Sequence, residues 1–339
     1  MSGICSRTGT GRYFIGAAAT SLRFVVIGAG RLGASLALAL RAQGASLLGF
    51  TAHSPAGRIK AETWLGVRAS TDIAELVSYL PDLWVIAVPD QAVSAVAEEV
   101  GTHLARAADL NPAAAGIAVP VVAHTSGATS VTVLLPCERA GASVLVFHPL
   151  QTFSDPLAGP TRFAGAAIAI TPSGDMRTSP AATLGFALAT ALRSRPFLLP
   201  DNKRSLYHAA ATFACNYLVT LEHHALQLFL KAGLPAEEPL DLFLPLVRAT
   251  LDNLSARGTV DALTGPLSRG DSLTVANHLT ALAADAPHFL PVYRALGLAT
   301  LDLVRARGKV SPSVISELVD LLEDPSQSRK LERNEQGAR

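Results

Sequence analysis

The chain has 339 residues, of which 49% are hydrophobic and 16% charged, with a formal net charge of +1. That length suits two domains, and the near-neutral charge argues against a nucleic-acid partner, which calls for a basic excess. Cys5, Cys137 and Cys215 have neither metal-ligand nor redox spacing, which fits a reducing, cytoplasmic compartment and a function without thiols or metals.

Residues 1–20 contain Arg7 and Arg12, several glycines and no acid. Their apolar stretch, FIGAAAT, is short, so they read as a disordered leader or as the product of a start codon assigned too far upstream. No run of about 18 uninterrupted apolar residues suggests a membrane span. Strands and helices then alternate over 21–200. LRFVVIG is a strand and Arg31 to Gln43 a helix; SLLGF is a second strand and SPAGRIKAETWLG a helix. VRAS is expected as a short third strand, followed by the helix TDIAELVSYL, capped by Thr71 or Asp72. DLWVIAVP, PVVAHTS, ASVLVFHP and GAAIAITP are further strands, with a helix from Asp90 to Ala105 after the first of them. A last helix to about Leu192 precedes RPFLLP. Continuous Val, Ile and Leu strands between helices imply a mostly parallel, doubly wound sheet covered on both faces.

From Asp201 the pattern is helical only. KRSLYHAAATFACNYLVTLEHHALQLFLKAGL reads as one long helix stopped by Gly233. PLDLFLPLVRATLDNLSARG, SLTVANHLTALAADA, FLPVYRALGLATLDLVRARG and SPSVISELVDLLED follow. The expected layout is an α/β Rossmann domain over 21–200, an all-helical domain over 201–325 and a polar, disordered tail over 326–339.

Gly28-x-Gly30-x-x-Gly33 lies between the first strand and its helix. There Gly28 allows the tight turn, Gly30 admits a pyrophosphate to the backbone, and Gly33 lets helix and strand pack closely. Ala29, Arg31 and Leu32 complete a turn whose free N–H groups face the phosphates. An NAD site places Asp or Glu about 20 residues further on, at the end of the second strand. Here that stretch has no acid and offers Thr51, His53, Ser54 and Arg58, a set suited to a 2′-phosphate, so NADP(H) is the expected cofactor. Later strand ends add Val88 and Pro89, which can pack near the dinucleotide, and Thr125, Ser126 and Gly127, whose hydroxyls and bare backbone can approach a nicotinamide. His148 and Gln151 lie on the same edge and are candidates for substrate binding.

Six motifs in order, GAGRLG, VPD, HTSG, FHPLQTF, LYHAAATFACNYL and ALTGPLSRGD, make the chain resemble a family of Rossmann-like proteins with a helical C-terminal domain of unknown function, number 2520. The resemblance covers about Leu22 to Ala306. The family is similar in architecture to ketopantoate reductase, pyrroline-5-carboxylate reductase and the 6-phosphogluconate and 3-hydroxyisobutyrate dehydrogenases. That likeness implies an NADP-dependent hydride-transfer enzyme with its active site between the domains and a homodimer, with helices such as Phe289–Ala306 at the interface. The expected substrate is a small 2-keto acid or related carbonyl, with ketopantoate as one candidate. The alternatives are an imine reductase of the pyrroline-5-carboxylate type and a non-catalytic NADP-binding regulator.

The better-known relatives carry Lys, with Asn one turn later, on the first long helix of the second domain. This chain has no such pair, which leaves His208 or Lys203 as the general acid. His208, Thr212 and Asn216, spaced four apart, form a polar stripe, with Asn216 and Ser126 expected to orient the carbonyl. In ALTGPLSRGD, Thr264 or Arg269 is the candidate for a substrate carboxylate. His223 and His224, adjacent on a helix, diverge too far to share a metal.

Overall fold

The computed structural model describes residues 22–110, 119–235, 237 and 239–323; the expected leader and tail lie outside them. The chain divides into two compact units, 1–214 and 215–339. The boundary falls within a helix rather than at residue 200, so His208 and its neighbours belong with the sheet.

The first unit is built on seven strands: β1 (Arg23–Ile27), β2 (Ser46–Thr51), β3 (Leu83–Ile86), β4 (Val121–His124), β5 (Ser143–Leu150), β6 (Ala167–Pro172) and β7 (Arg195–Leu198). They run in the order β2-β1-β3-β4-β5-β6-β7. The first five are parallel, β6 is antiparallel to β5, and β7 is parallel to β6. Helices α1 (Arg31–Ala42), α2 (Pro55–Leu65), α3 (Ile73–Ser78), α4 (Asp90–Leu110), α5 (Leu135–Arg139) and α6 (Pro180–Ala191) connect them. One core joins α1, α2 and α6 to one face through Leu36, Leu40, Ala61 and Leu184. A second lies against α3, α4 and α5 and includes Trp84, Val93, Val100 and Leu134. This two-faced burial is why the strands read as unbroken apolar runs.

VRAS is not a strand. Ala69 N–H is taken by the Glu62 carboxylate at 2.9 Å, and one backbone bond, Ser70 N–H to Phe50 carbonyl, reaches β2. The segment therefore passes the sheet edge without a ladder. Asp72 caps α3 by accepting from Glu75 N–H, as expected.

Helix α7 (Arg204–Thr212) runs into a π-helical turn, Phe213–Tyr217, and then α8 (Leu218–Lys231). In the second unit α8 is followed by α9 (Pro239–Asp261), α10 (Pro266–Arg269), α11 (Ser272–Asp285), α12 (Leu290–Arg307) and α13 (Pro312–Leu322). Its main core gathers Val275, Leu301, Val304, Ile315, Leu318 and Leu322. Leu282, Ala286 and Phe289 form a smaller one, packed by Leu228. ALTGPLSRGD contains the single turn α10 between Gly265 and Gly270, and Asp271 caps α11. No helix among the described residues is long and apolar enough to cross a membrane.

Candidate functional site

Ile27, Ile86, His124 and Val146 lie in register across β1, β3, β4 and β5, so the loops that follow share one carboxyl edge. β1 sits where the connections change direction, with β2 on one side and β3 on the other, the place where open α/β sheets bind ligands.

The glycine turn fills that position. Gly28 has φ +92°, and a Cβ there would sit 2.6 Å from the Ala87 carbonyl oxygen. Gly28 and Ala29 both donate backbone N–H to the Thr51 carbonyl, at 3.1 and 2.9 Å, tying the turn to the end of β2. A Cβ on Gly33 would meet the Gly28 carbonyl oxygen at 2.3 Å, whereas one on Gly30 meets nothing within 4 Å. Gly30 is the N-cap of α1, with no side-chain cap and no acid in the first turn. The N–H groups of Arg31, Leu32 and Gly33 are the unsatisfied donors of that helix start, beside open space. These residues fit a dinucleotide pyrophosphate.

At the end of β2, Ser54 caps α2 by accepting from Gly57 N–H at 3.0 Å. Its hydroxyl proton remains to donate. Arg58 is half-buried, and its buried Nε has no hydrogen-bond partner. His53 is exposed, Thr51 and Val88 half-buried and Pro89 exposed.

The loop after β4 turns its hydroxyls inward. Thr125 Oγ1 donates to the Ile86 carbonyl at 3.4 Å. Ser126 Oγ donates to Thr129 Oγ1 and accepts Thr129 N–H, at 2.8 and 3.0 Å. Both residues are buried, so the expectation that their hydroxyls face a nicotinamide is corrected: they shape the loop. Gly127 supplies the bare backbone.

His124 is fully buried and fixed at both ring nitrogens. Nδ1 accepts Ser126 N–H at 3.2 Å, so Nε2 carries the hydrogen and donates to the Ser130 carbonyl at 3.3 Å. Burial above all pushes its pKa down to about 4.

Arg204, the first residue of α7, is 1% exposed. Its guanidinium donates to the carbonyls of Thr129, Ser126 and Gly127 and to Thr171 Oγ1, at 2.6 to 3.0 Å. Asp201 accepts from Ser130 Oγ and from Val131 N–H. Together they clamp the 126–131 backbone to the start of α7. Sequence reasoning assigned Arg204 no role; a cation whose acceptors are distant carbonyls leaves no local motif.

Through this clamp, α7 presents Tyr207 and His208 to β5. His148, half-buried, lies two residues beyond the part of β5 paired with β4. Its Nδ1 is 2.9 Å from Tyr207 Oη, and its ring centroid is 6.5 Å from that of His208. A Cβ on Gly127 would stand 2.6 Å from His208 Cδ2 and 2.8 Å from His148 Nε2. Glycine thus lets both imidazoles pack against the backbone at 127, with no room for a side chain between them. Burial, then the positive Arg204, lowers the His148 pKa to about 4, and burial raises that of Tyr207 to about 12. Tyr207 was missed because the motif LYHAAATF drew attention only to its histidine.

Lys203 is exposed at the start of α7, and Gln151 is exposed with Oε1 accepting its neighbour Thr152 N–H. Asn216 is exposed within the π-turn, so the stripe expected from His208 through Thr212 to Asn216 is not one uniform α-helical face. Asn216, Thr264 and Arg269 all belong to the second unit, and all three are exposed.

Residues 15–149 match the Rossmann-like domain, and residues 176–300 match a domain of unknown function, DUF2520. The chain carries a Rossmann-like domain followed by a DUF2520 domain. No curated protein matches the sequence. Among solved structures, a candidate NADP oxidoreductase from Bacteroides fragilis is 24% identical, with a TM-score of 0.64, over 86% of this chain and 100% of that one. A protein from Thermotoga maritima is 20% identical, with a TM-score of 0.60, over 84% and 100%. A 1-pyrroline-5-carboxylate reductase from Streptococcus pyogenes is 14% identical, with a TM-score of 0.54, over 89% and 99%. These are likenesses of fold: a Rossmann-like domain with a helical C-terminal region.

Proposed function

We propose that the protein is an NADP(H)-dependent reductase of a small 2-keto acid or related carbonyl. The observation that carries this reading is the pairing, along one sheet edge, of the Gly28–Gly33 turn with two neighbouring imidazoles, His148 and His208, packed against Gly127. Bound NADPH would supply hydride to the carbonyl carbon. The chain's own task is to orient the carbonyl and give one proton to its oxygen, so that C=O, hydride and proton together become CH–OH. His208 is assigned as the proton donor, because it is half-buried beside His148 while Lys203 is an exposed residue at the helix start. His208 regains its proton from solvent. The NADP preference is supported by the absence of an acid after β2 and by the Arg58 guanidinium, whose Nε lacks an acceptor that a 2′-phosphate would provide.

A cyclic imine is the second substrate class. Likeness to the Streptococcus pyogenes reductase favours it, since that enzyme's name specifies 1-pyrroline-5-carboxylate. Ketopantoate remains the first keto acid to try. A homodimer is also proposed, through α9 rather than the expected Phe289–Ala306. Phe289, Leu301 and Val304 are buried in the unit's own cores, whereas α9 buries only Phe243 and exposes Leu240, Leu242, Leu246 and Leu251.

The test is NADPH consumption with a panel of 2-keto acids and cyclic imines, with the reduced product identified by mass spectrometry. Saturable turnover of a keto acid is expected. Replacing His208 by Ala should lower kcat by about 10²- to 10⁴-fold while leaving NADPH affinity unchanged. Turnover of imines alone selects the second reading. NADPH binding without turnover of any of them makes the protein a regulator and overturns the proposal.

A further inference from the structure

Tyr207 stands outside every role assigned so far, yet its hydroxyl lies 2.9 Å from His148 Nδ1. We infer that Tyr207 is a positioning residue: its hydroxyl donates to His148 Nδ1 and so holds the imidazole as the Nε2–H tautomer, which offers a hydrogen-bond donor, beside His208, to the substrate's reacting oxygen. The second half of this inference rests on the reductase reading above; the first half does not.

The polarity follows from accounting for protons. Tyr207 Oη has one hydrogen-bond partner among the described residues, His148 Nδ1 at 2.9 Å. If Nδ1 carried the hydrogen, the phenol proton would be left without an acceptor in a half-buried place, which costs more than a spare lone pair on oxygen. The phenol therefore donates. Burial keeps His148 neutral at physiological pH, so the ring has one N–H, and which nitrogen bears it decides what the ring can do. His124 on the neighbouring strand is held in the same tautomer by a backbone N–H on its Nδ1. Phe197 and His148 both meet the Tyr207 ring edgewise, at centroid distances of 6.0 and 5.5 Å, which fixes the phenol's direction.

His148 Nε2 has no hydrogen-bond partner among the described residues, and a Cβ on Gly127 would come within 2.8 Å of it. A free donor thus stands beside Gly127, with the His208 ring centroid 6.5 Å from that of His148. Hydrogen bonding from Nε2–H would polarise a carbonyl, while His208 provides the proton. A neutral imidazole that keeps its hydrogen is suited to the first task only.

The direct test is ¹⁵N NMR of the full-length protein labelled at histidine, near neutral pH and without substrate. The His148 resonances are identified by their loss in His148→Gln. Wild type should show Nε2 protonated and Nδ1 bare, and Tyr207→Phe should show a mixture of tautomers. In the reductase assay Tyr207→Phe should lower kcat about tenfold, the scale of one neutral hydrogen bond, with NADPH affinity and melting temperature nearly unchanged. His148→Gln keeps an N–H donor near the Nε2 position and should retain more activity than His148→Ala. In the His148→Gln background, Tyr207→Phe should add little, because no tautomer remains to be chosen. A protonated Nδ1 in wild type, an unchanged tautomer in Tyr207→Phe, or full additivity of the two substitutions would overturn the inference. If wild type reduces neither carbonyls nor imines, the role toward substrate falls with the reductase reading, and the NMR decides the tyrosine–histidine pair by itself.

Discussion

Gly30 and Gly33 lie in the same turn but should fail in opposite ways when replaced by alanine. A methyl at position 33 would stand 2.3 Å from the Gly28 carbonyl oxygen, 3.1 Å from Ala87 Cβ and 3.2 Å from Val26 Cγ1. A carbon–oxygen contact relaxes at about 3.3 Å, so helix and turn must separate by roughly 1 Å. The obstructing atom is backbone, and β1 is held on both sides by β2 and β3, so no side chain can swing aside. Overpacking of this kind costs about 1–3 kcal/mol, enough to lower the melting temperature by roughly 2–12 °C in a unit of this size. At position 30 a methyl meets nothing within 4 Å, and φ −77° suits alanine. Gly30→Ala should therefore melt like wild type yet bind NADPH on the order of tenfold more weakly, because the methyl occupies the space over the α1 N–H groups. Differential scanning calorimetry and NADPH titration of both variants provide the comparison. Unchanged NADPH affinity in Gly30→Ala would refute the placement of the pyrophosphate. An unchanged melting temperature in Gly33→Ala would refute the packing argument.

Stability should depend on pH through His124. Its folded pKa of about 4 lies below the ordinary value of 6.5, so its full contribution is present above about pH 6.5 and lost as pH falls toward 4, where the unfolded chain takes up the proton first. Urea unfolding across that window should show wild type losing roughly 3 kcal/mol more than His124→Gln; equal slopes would contradict the burial argument. Arg204→Met keeps the stem but leaves buried carbonyls without their donor, and should destabilise the protein by about 3 kcal/mol or more. Arg204→Lys, lacking the planar fork, should recover only part of that. A wild-type melting temperature in both variants would show that the guanidinium does not hold the 126–131 loop.

The glycine turn and the change from mixed to helical structure were legible because each depends on local chemistry. Glycines between an apolar strand and helix, Asp72 before an apolar run, and Gly233 after α8, at φ +94°, leave marks within a few residues. What escaped depends on distant partners. VRAS has the composition of a short strand, but the Glu62 carboxylate captures Ala69 N–H. The hydroxyls of Thr125 and Ser126 looked available for a ligand until their acceptors, Ile86 carbonyl and Thr129, were in view. Arg204 drew no role from the sequence, because its acceptors lie more than 30 residues away. His148 and His208 were each singled out, but only β5 and α7 together bring them to either side of Gly127. The antiparallel entry of β6 has no counterpart in its sequence, which reads like any other buried strand.

Calorimetric titration of the full-length protein with NADPH and with NADH tests the central claim most directly. The account predicts that NADPH binds at least tenfold more tightly, about 1.4 kcal/mol, and that Arg58→Ala narrows the gap by weakening NADPH alone. Binding of neither nucleotide, or NADH binding as tightly as NADPH, would contradict it.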